Sequence, residues 1–251
     1  MHPNVNYSIK ILRDLGKKIA RYFDDRSQHS SEVEFQPGPV SFLNGIVDKL
    51  FNELNRAYDN PVIIDLDKAT ALELQSAEHH EIWGYQVLCG YDNFLNNIPL
   101  FCLTLSNFRY GQVQHAVIYN PLTDEVYHAS KGMGAQVNGH RLRIQPKNDI
   151  QMAYLNRVQD GLLSPINNCA LRLLGSPNLE LAYLAANRAD VTLHHMADSI
   201  NITAGKLIAR EAGAMCFIHE GATKRDQLVL NGSIEHLKRI IDTLTQAAGS
   251  N

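Results

Sequence analysis

The chain has 251 residues, 45% hydrophobic and 20% charged, with a net charge of −3. This is a globular composition, long enough for one large domain or two small ones, and its charge balance gives no ground for a nucleic-acid-binding face. No apolar run reaches the roughly 18–20 residues of a membrane span, and the polar start Met1-His2-Pro3-Asn4 is unlike a signal peptide. The four cysteines (Cys89, Cys102, Cys169, Cys216) form no CxxC pair; free thiols in a reducing cytoplasm are expected, rather than a zinc site or disulfide frame.

Val5, Ile9, Leu12, Leu15, Ile19 and Tyr22/Phe23 recur every three or four residues, so an amphipathic helix is predicted, with Pro3 in its first turn. A polar loop is expected from Arg26 to Pro39. A second helix follows, carrying Leu43, Ile46/Val47, Leu50/Phe51, Leu54 and Ala57/Tyr58, with Gly45 weakening its start. Strand signals then dominate: Val62–Ile64, Ile82–Leu88, Leu100–Phe108, Val113–Tyr119 and Glu125–Ser130. Residues 120–124 read as a hairpin connection, and Asn138-Gly139 between Ala135–Val137 and Arg141–Ile144 is a type I′ signal. These strands predict a mostly antiparallel sheet following two helices.

After residue 145 strands and helices alternate. Strands are expected at Ala153–Val158, Val191–His194, Met215–Ile218 and Gln227–Leu230. Helices are expected at Ser164–Leu174, after the cap Ser176-Pro177, at Thr203–Ala212 ending on Gly213, and after a Ser233 cap. A soft division is predicted, with residues 1–145 holding the helices and antiparallel sheet and 146–251 the alternating part, the two sharing an interface or forming one unit. The fold class is α+β or α/β.

Several segments resemble the inositol monophosphatase family, most of all its bacterial SuhB-type members. They are the start Met1-His2-Pro3…Asn6, the run Val117-Ile118-Tyr119-Asn120-Pro121 continuing to Asn138-Gly139-His140-Arg141-Leu142, Gly175-Ser176…Leu179 to Ala186, and Ala204-Gly205-Lys206-Leu207 to Ala212-Gly213. Together they span nearly the whole chain. The resemblance implies a layered α/β/α/β/α sandwich, a homodimer, and magnesium-dependent hydrolysis of phosphate monoesters. The stretch 144–174 is shorter than in that family by about a helix.

That family's signature is Trp, two residues, then Asp-Pro-Leu-Asp-Gly-Thr-Thr-Asn-Phe, in which two aspartates bind metal. Here the segment reads Trp83-Gly84-Tyr85-Gln86-Val87-Leu88-Cys89-Gly90-Tyr91-Asp92-Asn93-Phe94. By this resemblance Gln86 and Cys89 replace the two aspartates and Tyr91 a threonine. The upstream Glu-Glu pair falls on Leu66-Asp67, the Trp-Asp pair on Ile200-Asn201, and an acidic substrate residue near His194. Magnesium requires hard oxygen ligands, usually with carboxylates among them. Leu66 offers none, Cys89 is soft, and Gln86 and Asn201 are neutral. Loss of all four acids removes most metal affinity and the activation of water.

The expectation is therefore a catalytically inactive pseudo-phosphatase, with no catalytic set intact and no cofactor, where active relatives use magnesium. Open alternatives are a relocated metal site on Asp65, Asp67 or Asp92, against local turn roles for these acids, and a soft-metal site joining Cys89 to His79, His80 or His194. Gly90 with Tyr91 is a candidate residual anion turn, against a purely conformational need for glycine. Arg141 and Arg143 read as a solvated face. No nucleophile frame or Walker sequence is present.

SuhB-type relatives act in ribosomal RNA transcription through antitermination machinery, so the resemblance implies a protein partner there. The alternatives are a magnesium-dependent phosphatase with a weakened site and a non-catalytic small-ligand sensor.

Overall fold

The structure is a computed structural model that describes residues 2–28, 38–70, 73, 81–145, 147–155, 169–195, 200–219 and 228–248. The chain opens with two amphipathic helices, α1 (Pro3–Gln28) and α2 (Pro39–Ala57). The predicted stripe of α1 is the buried one, with Val5, Leu12, Leu15, Ile19 and Phe23 in the core. α1 runs past the expected end at Phe23, and in its last turn the Arg26 guanidinium donates to the carbonyls of Phe94 and Leu95. α2 begins at Pro39, earlier than its apolar spacing indicates. A proline at the first helical position has no N–H to lose there and has its φ preset.

Seven strands form the first sheet in sequence order: β1 (Val62–Asp65), β2 (Ile82–Cys89), β3 (Cys102–Arg109), β4 (Gln112–Asn120), β5 (Glu125–Ser130), β6 (Gly134–Val137) and β7 (His140–Leu142). β1 and β2 are parallel, and every later pair is antiparallel. Asn138 and Gly139 take positive φ at the β6–β7 turn, as the type I′ signal predicts.

The alternation of β3 sorts its side chains between two buried faces. Leu103 and Leu105 join Trp83, Tyr85, Val117, Tyr119 and Val126 against α1 and α2. Cys102 joins Ala116, Ile118, Tyr127 and Ala129 against the helices on the other side. Those helices are α4 (Pro177–Ala185) and α5 (Thr203–Glu211); α3 (Tyr91–Leu95) is one short turn after β2.

The second sheet has the order β11-β12-β10-β8-β9. It comprises β8 (Met152–Leu155), β9 (Ala170–Arg172), β10 (Val191–His195), β11 (Met215–His219) and β12 (Leu228–Gly232). α6 (Ile234–Ala248) covers its outer face with Leu237 and Ile240. The layers therefore read α/β/α/β/α, the sandwich expected.

α4 is apolar on nearly all sides because it lies between two sheets. α5 closes on it at Gly205, where a Cβ would stand 2.7 Å from Leu181 Cβ. Ser233 caps α6 as predicted, its Oγ accepting from the N–H of His236 at 3.2 Å.

One predicted helix is corrected. Within Ser164–Leu174, residues 164–168 lie outside the described residues, and Ala170–Arg172 is a strand paired in parallel with β8. The apolar run there has helical spacing, but the free edge of β8 captures it: the N–H of Ala170 donates to the carbonyl of Gln151. Residues 156–158 of the predicted β8, and residue 227, are also outside the described residues. Among the described residues no helix is long and apolar enough to cross a membrane.

Candidate functional site

A cavity of about 180 Å³ opens where the C-terminal end of β2 meets the first turn of α4 and the 3-10 turn Ile200–Ile202. Asp67, Gln86, Leu88, Cys89, Gly90, Tyr91, Pro177, Asn201 and Ile202 line it. The fold thus gathers three of the four degenerate positions, the candidate anion turn and one of the three candidate acids into one place.

Gln86 is 3% exposed and its amide is used at both ends. Nε2 donates to Asp67 Oδ1 at 2.6 Å, while Oε1 accepts from Asn178 Nδ2 at 2.6 Å and from Thr104 Oγ1 at 3.4 Å. Asn178 is fully buried. Its Nδ2 also donates to the carbonyl of Asn201 at 2.7 Å, and its Oδ1 accepts from the N–H of Gly205 at 2.9 Å. The network therefore ties β2, α4, the 3-10 turn and α5 together through neutral groups.

Cys89 sits on the ladder directly opposite Cys102, next to a register irregularity between Gln86 and Cys89. Ser176 Oγ donates to the carbonyl of Cys89 at 2.9 Å and lies 3.5 Å from Cys89 Sγ and 3.7 Å from Cys102 Sγ. A hydrogen bond from Cys102 holds Cys89 below the usual thiol range; burial opposes this, and donation from Ser176 reinforces it. Burial pushes Cys102 up. Ser176 precedes α4 as its sequence predicts, but its side chain does not cap the helix. It is buried and turned to the cysteines instead.

Leu66 does not line the cavity. It is 2% exposed, packed with Ile82 and Phe108 and over Gly84, where a Cβ would meet Leu66 Cδ2 at 2.7 Å. The neighbouring Asp67 is the carboxylate that reaches the cavity. Burial around the carboxyl pushes the Asp67 pKa up, an effect eased by the Gln86 amide and increased by nearby Asp65.

Asp65 takes the local turn role. Its Oδ1 accepts from the N–H of Asp67 at 3.0 Å, and Oδ2 pairs with Lys68 Nζ at 3.0 Å. Asp92 is exposed in the first turn of α3, outside the cavity lining. Gly90 has φ +100°, and a Cβ there would meet the carbonyl oxygen of Leu100 at 2.7 Å. Glycine is therefore required by the backbone at this turn. Tyr91 is 40% exposed at the mouth. Arg141 and Arg143 are exposed, as a solvated face requires.

His194 lies away from the cavity. It is buried in β10 with Nε2 2.8 Å from Glu180 Oε2, and Glu180 Oε1 accepts from the N–H of Leu174 at 3.0 Å. Among the described residues His194 Nδ1 has no hydrogen-bond partner. His79 and His80 lie outside the described residues, as does the side chain of His195.

A magnesium ion needs near-octahedral oxygen ligands. The cavity offers one carboxylate whose Oδ1 already accepts from an amide, a soft thiol, a glutamine oxygen occupied by two donors, and Asn201. These donors do not fit that ion. Among the described residues, no group of three or more His, Cys, Asp or Glu side chains is placed to hold a metal.

Asn178, Ser176 and Thr104 are the parts of this site that the sequence does not announce. The available signal was a polar Asn178 and Glu180 inside an otherwise apolar helix, which marks groups that must be satisfied when buried.

Comparison with known proteins places these features. The model of the inositol monophosphatase family matches residues 5–248. The chain is 30% identical over 235 residues to Nus factor SuhB of Buchnera aphidicola (Schizaphis graminum), covering 86% of this chain and 84% of that one. It is 29% identical over 237 residues to Nus factor SuhB of Escherichia coli K12, covering 86% and 85%. Among solved structures, extragenic suppressor protein suhB from Bartonella henselae superposes with a TM-score of 0.76 at 22% identity, over 98% of this chain and 99% of that one. The inositol monophosphatase of Thermotoga maritima superposes with 0.74 at 20% identity, over 99% of each. The chain belongs to the inositol monophosphatase family.

Proposed function

We propose that this chain is a SuhB-like member of its family without phosphatase activity, acting through a protein partner in transcription antitermination. The observation that carries the loss of activity is the Gln86 amide, hydrogen-bonded through both its nitrogen and its oxygen. A metal-binding carboxylate at that position would face the cavity with lone pairs free. Gln86 instead donates to the remaining acid and accepts from Asn178 and Thr104, so binding an ion would break hydrogen bonds among buried groups. Without metal there is nothing in the cavity to lower the pKa of a water nucleophile.

The link to transcription rests on the Nus factor relatives and on the resemblance of the N-terminus to SuhB-type proteins. A binding role does not need the cavity, so it survives the change at Gln86, Cys89 and Asn201. The homodimer is part of the same proposal.

The cavity volume favours a second reading, a small-ligand site without turnover. The relocated-metal reading is weaker, because Asp65 is paired with Lys68 and Asp92 lies outside the cavity, leaving Asp67 alone.

The test has two arms. Inositol monophosphate hydrolysis is assayed with magnesium, and binding of purified Nus proteins is measured by co-elution. No turnover with co-elution supports the proposal. Magnesium-dependent turnover overturns the first half, and failure to co-elute overturns the second. A thermal shift with phosphorylated metabolites separates the ligand-site reading, since a bound ligand stabilises the folded state.

A further inference from the structure

Cys89 in the cavity wall is paired with a second thiol, Cys102, that the loss of phosphatase chemistry does not require. Cys89 ends β2, Cys102 begins β3, and the two are register partners across an antiparallel ladder. Directly opposed residues in such a ladder have Cα atoms about 4.5–5.5 Å apart, inside the roughly 4.4–6.8 Å window of a disulfide. Both sulfurs lie against the same Ser176 hydroxyl, at 3.5 and 3.7 Å, and Cys102 hydrogen-bonds to Cys89. Neither cysteine is bonded in the structure.

Access to the two sulfurs is unequal. Cys89 lines the cavity, whose volume of about 180 Å³ admits a molecule of peroxide size. Cys102 is fully buried behind it. The register irregularity falls just before Cys89 on β2, where the strand bends locally while Cys89 stays opposite Cys102. One thiol is therefore placed to meet an oxidant and the other to resolve the product.

We propose that Cys89 and Cys102 are a redox modification site, oxidised to a reversible disulfide by hydrogen peroxide entering through the cavity. The Cys89 thiolate attacks one peroxide oxygen. An S–O bond forms as the O–O bond breaks, and hydroxide leaves to become water with the proton released from the thiol. The Cys102 sulfur then attacks the sulfenic sulfur. The S–S bond forms as S–O breaks, and the departing hydroxyl takes the Cys102 proton as a second water. Two thiols and one peroxide become one disulfide and two waters, and a dithiol reductant reverses the change. The hydrogen bonds that hold Cys89 in the reduced state supply the donors that favour its thiolate. Oxidation removes the thiol hydrogens from this wall and ties β2 to β3 beside Gln86.

The test treats the folded full-length protein with graded hydrogen peroxide. The sample is then quenched, unfolded in an alkylating agent and digested without reductant for mass spectrometry. The expected result is a Cys89–Cys102 linked peptide that rises with peroxide and disappears with dithiothreitol. Cys102→Ser should leave Cys89 as a sulfenic acid trapped by dimedone, and Cys89→Ser should leave Cys102 reduced. Exposed Cys216 reports the dose that reaches an open thiol. Alkylation of both Cys89 and Cys102 at a dose that oxidises Cys216, or linkage of Cys89 to another cysteine, overturns the proposal. The readout involves neither magnesium nor a Nus protein, so its failure is distinct from failure of the proposed function.

Discussion

Two buried polar clusters leave the first turn of α4 in opposite directions, and they solve the same problem differently. Asn178 turns to the first sheet and joins a neutral network with Gln86, Asn201 and Gly205. Glu180, two positions on and so on the far side of the helix, turns to the second sheet and pairs with His194. The first cluster uses both ends of the Gln86 and Asn178 amides. The second keeps a Glu–His pair out of water and, among the described residues, leaves His194 Nδ1 without a partner. The comparison teaches that this chain still buries acidic groups between its sheets, while the cavity keeps a single one, Asp67. Amide hydrogen bonds hold the cavity, and a Glu–His pair holds the layer behind it.

The largest expected effect breaks the second cluster. Glu180→Ala leaves His194 and the N–H of Leu174 unpaired and should cost about 3–5 kcal/mol in chemical denaturation. Glu180→Leu combined with His194→Leu should recover most of that loss, since replacing both partners removes the uncompensated group. A double variant no more stable than the single one would show that the pair is needed for packing rather than for charge.

Asn178→Ala is the matching break in the neutral cluster. It removes the short donor to Gln86 Oε1 and the partners of the Asn201 carbonyl and the Gly205 N–H, and should cost about 2–3 kcal/mol. A loss equal to that of Glu180→Ala would erase the distinction between the clusters.

The Asp190–Lys147 ion pair tests the second sheet by pH. Burial pushes the Asp190 carboxyl up, but Lys147 at 2.8 Å and the N–H groups of Gln151 and Met152 outweigh it and hold the pKa below 3.8. A depressed carboxyl contributes stability that is present above its ordinary pKa and lost as pH falls through the folded value. Asp190→Asn should cost about 1–2 kcal/mol at neutral pH and flatten the acid limb of the melting curve. An acid limb unchanged by the substitution would contradict this role.

The smallest effect belongs to the cavity. Asp67 has the opposite shift, upward from 3.8, so its charge disfavours the folded state above the ordinary pKa, and protonation relieves it as pH falls through the raised value. Asp67→Asn keeps an acceptor for Gln86. It should stabilise the fold slightly at neutral pH, by no more than about 0.5 kcal/mol because water screens a group at the mouth. The gain should vanish in acid, and a loss of stability at neutral pH would show that the charge is needed.

Much of the scaffold was legible because its signals are local. The stripe of α1, the two-faced alternation of β3 and the Asn138-Gly139 turn each appear where their spacing places them. The misreadings were cases in which a partner decides the structure. Ser164–Leu174 has helical spacing, yet the edge of β8 makes Ala170–Arg172 a strand. Ser176 has the chemistry of a cap, yet Cys89 and Cys102 claim its hydroxyl. At the site, the order Gln86, Cys89, Gly90, Tyr91 along β2 and the turn after it announced one wall of the cavity. Asn178 was not legible, because nothing in a linear sequence shows that α4 presents its second residue to Gln86. The burial of Leu66 over Gly84, with Asp67 at the cavity, has the same cause.

The central claim is that the family's metal site has been replaced by neutral hydrogen bonds, and calorimetric titration of magnesium tests it most directly. The wild-type chain is compared with the triple variant Gln86→Asp, Cys89→Asp and Asn201→Asp, with Leu66 left in the core and Asp67 as the fourth acid. The account predicts no saturable heat from the wild type up to millimolar magnesium and saturable binding by the variant. Saturable binding by the wild type, lost on Asp67→Asn, would contradict it.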